Sequence, residues 1–190
     1  MRIIAGKYGR RRLSPPKGLT LRPTTDIAKE ALFNSLSAQY DIEDMRVLDL
    51  FAGIGSISLE FVSRGAASVT SIEKHPKHAA FIRSAADMLD KEILSSKQLL
   101  VLNRSVEQYL RQYDGEPYDL IFADPPYNLP WLKDIPDLLF ASKAWCPSSI
   151  FVLEHPDTVD FAESARFAWH KSYSAVQFTC FAPTEESLCR

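Results

Sequence analysis

The sequence predicts a doubly wound α/β domain with a mostly parallel, seven-stranded sheet, and three observations predict it. Short apolar runs alternate with amphipathic stretches between residues 47 and 154. The first such run enters a glycine turn, Asp49-Leu50-Phe51-Ala52-Gly53-Ile54-Gly55-Ser56, and the fourth ends in Asp124-Pro125-Pro126-Tyr127. Two further strand-like runs, close together, end the chain. Strand–helix alternation demands crossover connections, which make neighbouring strands parallel and cover both faces of the sheet. At 190 residues the chain fits one domain with a full core. The organisation expected is a basic extension over residues 1–25 joined to a body over 26–190.

In chain order, Ser14-Pro15-Pro16-Lys17-Gly18 is a breaker cluster that closes the basic segment. A helix should begin at Asp26, with Thr25 as N-cap and Asp26 against the helix dipole. Its apolar stripe is read as Ile27, Ala31, Leu32 and Leu36, with Phe33 on a neighbouring face. Strands are then expected at 47–50, 68–73, 99–102, 118–123 and 149–154. Helices should fill 56–64, 76–89, 106–113 and 131–142. Runs 167–170 and 176–181 read as an antiparallel hairpin.

Net charge is only −2, which conceals an asymmetry. Residues 1–22 hold Arg2, Lys7, Arg10, Arg11, Arg12, Lys17 and Arg22 and no acid, leaving 15 basic against 24 acidic residues elsewhere. A basic segment on an acidic body suits a directed contact with phosphates; a solvated tail is the alternative. No apolar run approaches the length of a membrane span. Met1 to Gly6 lacks an apolar signal region, so a cytoplasmic protein is expected. Cys146, Cys180 and Cys189 are odd in number and widely spaced, which excludes a disulfide framework and a zinc site.

A Gly-x-Gly between a strand and a helix lets the backbone approach a ligand. Ser58 stands where the dinucleotide fingerprint needs its third glycine. The acid at Asp49, four residues before Gly53, belongs instead to the methyltransferase form of this turn, and the helix N-terminus behind it suits a carboxylate. Glu73 ends the second strand, where a carboxylate can accept both ribose hydroxyls of an adenosine.

The fourth strand delivers Asp124-Pro125-Pro126-Tyr127 at its C-terminal end, where open α/β sheets bind ligands. An exocyclic amine on a nucleobase is a poor nucleophile because its lone pair is delocalised into the ring. Two acceptors, the Asp124 carboxylate and the Pro125 carbonyl, would hold its N–H groups and direct that lone pair. Two prolines stiffen the loop, and Tyr127 offers a ring for a base that has left its stack. Positioning supplies much of the acceleration, and no strong general base is required.

These motifs resemble the RsmD family, the bacterial 16S ribosomal RNA guanine-N2 methyltransferases. The likeness spans nearly the whole chain: Met1 to Gly6; Arg10 to Leu13; Leu21-Arg22-Pro23-Thr24-Thr25-Asp26; Glu30 to Asn34; Asp49 to Gly55 with Leu59-Glu60; Ser63 to Ala66; Glu73; and Asp124 to Tyr127. The glycine turn and the Asp-Pro-Pro-Tyr loop are common to many amino-methyltransferases. The Arg-Pro-Thr-Thr-Asp segment followed by Ala-Leu-Phe-Asn is the specific part. The resemblance implies a class I, Rossmann-like fold, S-adenosylmethionine as donor, and 16S rRNA, free or in an assembling small subunit, as partner. It implies that Asp49, Phe51, Ala52, Gly53, Gly55, Glu73, Lys74, Ser105 and Val106 hold the cofactor. Asp124, Pro125, Pro126 and Tyr127 would form the catalytic loop, and Arg10, Arg11, Arg12, Arg22 and Asn34 would meet RNA. Three departures stand out: Ser105 replaces the usual Asp or Asn beside the adenine, residues 26–30 carry less arginine, and the C-terminal hairpin diverges.

No metal site is expected, since His75 and His78 have no second ligand pair. His155, Trp131 and the aromatics Phe161, Phe167 and Trp169 are read as structural. A monomer is assumed. Rival readings are a DNA or RNA adenine-N6 or cytosine-N4 methyltransferase, a protein glutamine methyltransferase (which typically has Asn in place of Asp124), an inactive RNA-binding module of the same fold, and a nucleotide-dependent oxidoreductase.

Overall fold

The computed structural model describes residues 1–16, 18–19, 26–173 and 176–183. Lys17, Arg22, the expected N-cap Thr25 with the rest of residues 20–25, Ser174, and the tail from 184 with Cys189 lie outside them.

Apolar runs become strands where both faces are covered, and here they do so in one seven-stranded sheet. The strands are β1 (Arg46–Leu50), β2 (Ser68–Ile72), β3 (Leu99–Leu102), β4 (Leu120–Ala123), β5 (Ile150–His155), β6 (Phe167–Tyr173) and β7 (Val176–Phe181). Their order is β3-β2-β1-β4-β5-β7-β6. The first five are parallel, and the β6–β7 hairpin joins antiparallel to β5. Strand order reverses at β1, which lies between β2 and β4, and this opens a crevice at the carboxyl ends of β1 and β4. Helices α1 (Asp26–Ser37), α2 (Ser56–Ser63) and α3 (Pro76–Leu89), with the short α4 (Glu92–Ser95), bury their apolar sides in one core cluster. Helices α5 (Val106–Gln112) and α6 (Ile135–Phe140) pack into a second.

Several expectations are corrected. The helix expected over 131–142 is a 3-10 turn (Leu132–Asp134) followed by α6. Pro136 is the reason: it has no N–H and fits only the first turn of a helix, so the α-helix starts beside it. β4 begins two residues late, because the Tyr118 amide donates to the Ala144 carbonyl at 3.0 Å. His155 belongs to β5 rather than following it, β6 runs on to Tyr173, and α4 was unforeseen. The stripe of α1 is rotated: Ile27 is 78% exposed, and the buried face is Ala28, Lys29, Leu32, Phe33, Ser35 and Leu36. Phe33 meets Phe61 edge-on at 4.8 Å.

A lysine on a buried face needs a reason, and the N-terminal segment supplies it. Residues 1–13 are not a solvated tail. They fold back on themselves, with Arg2 bridging Arg12, and bury Ile3, Tyr8 and Leu13 in the first core cluster. Glu60, fully buried on α2, accepts the amides of Ile4 (2.7 Å) and Ala5 (3.0 Å) and pairs with Arg64 (3.0 Å) and Lys29 (3.4 Å). The Lys29 ammonium also donates to the Arg2 carbonyl and to Ser56 Oγ (3.2 Å). Burial pushes the Lys29 pKa down, and Glu60 opposes that by favouring the charged form. Gly6 has φ +79°, and a Cβ there would stand 1.9 Å from the Ser63 carbonyl oxygen, so only glycine permits this approach.

Candidate active site

Register fixes the site. Leu50, the last residue of β1, pairs with Ile72 and with Ala123, and Ala123 pairs with Leu153. The next residues are therefore Glu73, Phe51, Asp124 and Glu154, side by side on four consecutive strand ends. At about 4.8 Å between strands, the row spans roughly 15 Å. Asp49 lies one layer below, inside the sheet.

Beyond β1 the chain must turn sharply into α2. Phe51 (φ 61°), Gly53 (φ 57°) and Gly55 (φ 77°) are all left-handed, and a Cβ on Gly55 would press Ile82 of α3 at 2.9 Å. Phe51 takes this uncommon geometry as a non-glycine residue, held by the Ala52 amide donating to Ile72 O (3.0 Å) and by Trp131, whose ring lies 6.0 Å away. The Gly53 amide donates to Glu73 Oε2 (2.8 Å), and the His75 amide to Glu73 Oε1 (2.7 Å). Glu73 thus ties the turn to the head of α3. A carboxylate has about four acceptor positions, so two more donors can be accommodated. His78 Nδ1 stands 3.8 Å from the same carboxylate.

Asp49 is 1% exposed and accepts from the Ser58 hydroxyl, which in turn accepts from Ser71 (2.6 Å). Burial pushes its pKa up to about 7. The Ser58 bonds oppose the rise, and the nearby Asp124 and Glu73 charges add to it. Lys74 is exposed beside Glu73. Ser105 caps α5, its Oγ accepting from the Gln108 amide at 3.2 Å, and Val106 is buried behind it.

In the loop after β4, Asp124 is half-buried, Pro125 buried, Pro126 exposed and Tyr127 half-buried. The Leu129 amide donates to Pro126 O at 2.8 Å and closes the turn. The Tyr127 hydroxyl donates to Glu154 Oε1 at 3.2 Å.

The sequence-selected residues Asp49, Phe51, Ala52, Gly53, Gly55, Glu73, Asp124 and Tyr127 therefore converge on one end of the sheet. Arg10, Arg11 and Arg12 are exposed along the folded N-terminal segment. The paired Arg2 connects, through its carbonyl and Lys29, to Ser56 at the start of α2. Arg2 itself pairs with Asp26 (3.1 Å) and Lys7 with Asp90 (3.1 Å), so the charge count overstates what is available to a ligand. Asn34 is exposed on α1. Arg22 is outside the described residues.

Two site residues escaped sequence reasoning. Glu154 is 4% exposed at the end of β5. Asn103 carries a side-chain amide that donates to Glu73 O at 2.8 Å. The signal for Glu154 was available: an acid closing an apolar strand, as at Glu73. His155 is structural as expected, bonded to Thr179 Oγ1 (2.8 Å) and Pro156 O (3.0 Å), with burial lowering its pKa. Among the described residues no group of His, Cys, Asp and Glu could hold a metal, and no helix is long and apolar enough to cross a membrane.

Sheet order, glycine turn and strand-end carboxylates together define a class I, Rossmann-like methyltransferase fold. A family model described as conserved hypothetical protein 95 matches residues 1–182, and the chain belongs to that family, the RsmD family of the sequence resemblance. It is 37% identical over 141 residues to ribosomal RNA small subunit methyltransferase D of Escherichia coli, covering 73% of this chain and 66%, just under two thirds, of that protein. The protein of the same name from Haemophilus influenzae is 34% identical over 159 residues, covering 81% and 78%. A solved Escherichia coli structure with a provisional methyltransferase name superposes with a TM-score of 0.80 at 28% identity, over 97% of this chain and 99% of that one.

Proposed function

We propose that this chain transfers a methyl group from S-adenosylmethionine to the exocyclic N2 amine of a guanine in small-subunit ribosomal RNA, as a cytoplasmic monomer acting on RNA free or in an assembling subunit. One observation carries the reading: the Asp-Pro-Pro-Tyr loop stands beside the glycine turn in a row of carboxylates, in a chain whose relatives are named for small-subunit rRNA methylation.

The donor set fits this cofactor. A sulfonium and an ammonium suit the strand-end carboxylates of Glu73 and Asp124, with Asp49 buried one layer below them, and the α2 N-terminus suits a carboxylate. Phe51, Ala52, Gly53 and Gly55 would hold the amino-acid end. Glu73 would take the ribose hydroxyls with its remaining lone pairs, and Lys74, Ser105 and Val106 would flank the adenine. Bound there, the cofactor supplies an electrophilic methyl group.

The protein's part is to present the amine. The base leaves its stack, a step that costs a few kcal/mol, and lies against the Tyr127 ring. Asp124 and the Pro125 carbonyl accept its two N–H groups and free the nitrogen lone pair, while Pro126 keeps the loop stiff. The excess proton passes to Asp124 or to water. Arg10, Arg11, Arg12, Arg22 and Asn34 would steady the RNA.

The test is methyl transfer from labelled S-adenosylmethionine to unmodified small subunits, their RNA and matched DNA, with nucleoside analysis. N2-methylguanosine in ribosomal RNA is expected. Methyladenine or methylcytosine would retire the guanine assignment, and methylation confined to DNA would retire the substrate class.

A further inference from the structure

We infer that Glu154 is a positioning residue for the proposed reaction, holding the Tyr127 hydroxyl so that the ring stands as a fixed platform for the target base. The inference rests on the reading of Tyr127 as that platform. A tyrosine on a loop can swing about two side-chain torsions, and a base stacked on a swinging ring is a base whose amine wanders. A displacement of about 1 Å at a reacting atom can cost on the order of a hundredfold in rate. Pinning the far end of the ring removes that freedom.

The pin has the right build. Glu154 Oε1 lies 3.2 Å from the Tyr127 oxygen, and a carboxylate accepting from a phenol makes a charge-assisted bond. Its carboxylate is carried on a strand rather than a loop. β5 is buried along its whole length, and register with β4 on one side and β7 on the other fixes where its end lies. Leu153 pairs with Ala123, so the residue after each, Glu154 and Asp124, start from neighbouring positions. One carboxylate is thereby assigned to the amine and the next to the ring that supports the base. A carboxylate 4% exposed is costly to bury, and an aliphatic residue would close the end of β5 without that cost.

The experiment is a cycle of Tyr127→Phe, Glu154→Ala, Glu154→Gln and the Tyr127→Phe/Glu154→Ala double variant. For each, kcat and KM are measured on the nucleic acid the wild type methylates, with cofactor affinity by calorimetry and Tm as folding controls. Glu154→Ala should lower kcat roughly ten- to a hundredfold and leave cofactor affinity within about twofold. Glu154→Gln keeps an acceptor oxygen and should restore most of the loss. In the Tyr127→Phe background, Glu154→Ala should cost almost nothing more. Equal losses from Glu154→Ala with and without the hydroxyl would overturn the inference, as would a loss confined to cofactor binding. Should Glu154→Ala fail to fold, Glu154→Gln with Tyr127→Phe decides: a Gln variant worse than the Phe variant overturns the pin. Wild-type transfer to a base other than guanine would sink the substrate assignment, and the cycle would still be read on that base.

Discussion

Asp49 is a carboxylate whose charge the folded protein resists, with burial setting its pKa near 7 against an ordinary value near 4. In that interval the folded state binds a proton that the unfolded state has released. Asp49 therefore stabilises the unliganded fold below pH 4 and loses that contribution as pH rises through 7. Relative to Asp49→Asn, the wild type should lose Tm between pH 4 and 7, which scanning calorimetry of both proteins will show. A cationic donor favours the ionised form, so its affinity should weaken by up to about tenfold per unit below pH 7, and Asp49→Asn should abolish that slope in titrations. At Asp124 the expected loss is in chemistry: Asp124→Ala should lower kcat by on the order of a hundredfold or more while cofactor affinity survives. Near-normal turnover in that variant would remove the role given to the side chain.

At the scale of elements, the buried Lys29–Glu60 pair binds α1, α2 and the N-terminal segment together. Glu60→Ala strands a buried ammonium and two backbone amides. It should cost about 3–5 kcal/mol, a fall in Tm on the order of 10 °C, measured by urea and thermal unfolding. This joint also shows where sequence reading stops. The bounds of α3 were legible from Pro76 and the helical period, and those of β3 and β7 from short apolar runs. The stripe of α1 was misplaced because spacing put Ile27 in it, whereas the face that turns inward carries Lys29, whose partner Glu60 stands 31 positions on. The fold of residues 1–13 was illegible for the same reason: its partners are Glu60, Ser63 and Asp90. In the site, Asp49 and Asp124 could be read from their places before a glycine turn and a proline pair, and Glu73 from its place at the end of a strand. Glu154 closes its strand as Glu73 does, but its role comes from a hydrogen bond to a loop 27 residues earlier.

Across the whole molecule, a net charge of −2 conceals a row of strand-end carboxylates and, apart from it, exposed arginines on the N-terminal segment. Replacing Arg10, Arg11 and Arg12 by Ala should flatten the dependence of log KM for RNA on log salt by about 2, with kcat little changed at saturating RNA. An unaltered slope would take RNA contact away from these residues. The tethering of that segment has a further consequence, in time rather than space. Residues 4 and 5 emerge from the ribosome 55 or 56 residues ahead of the Glu60 that will hold them. They must wait, solvated and positively flanked, until α2 has been made. This stretch, made before α2, is thus among the later ones to dock. A nascent chain stalled before residue 60 should leave it open to protease, and one stalled well beyond α2 should protect it.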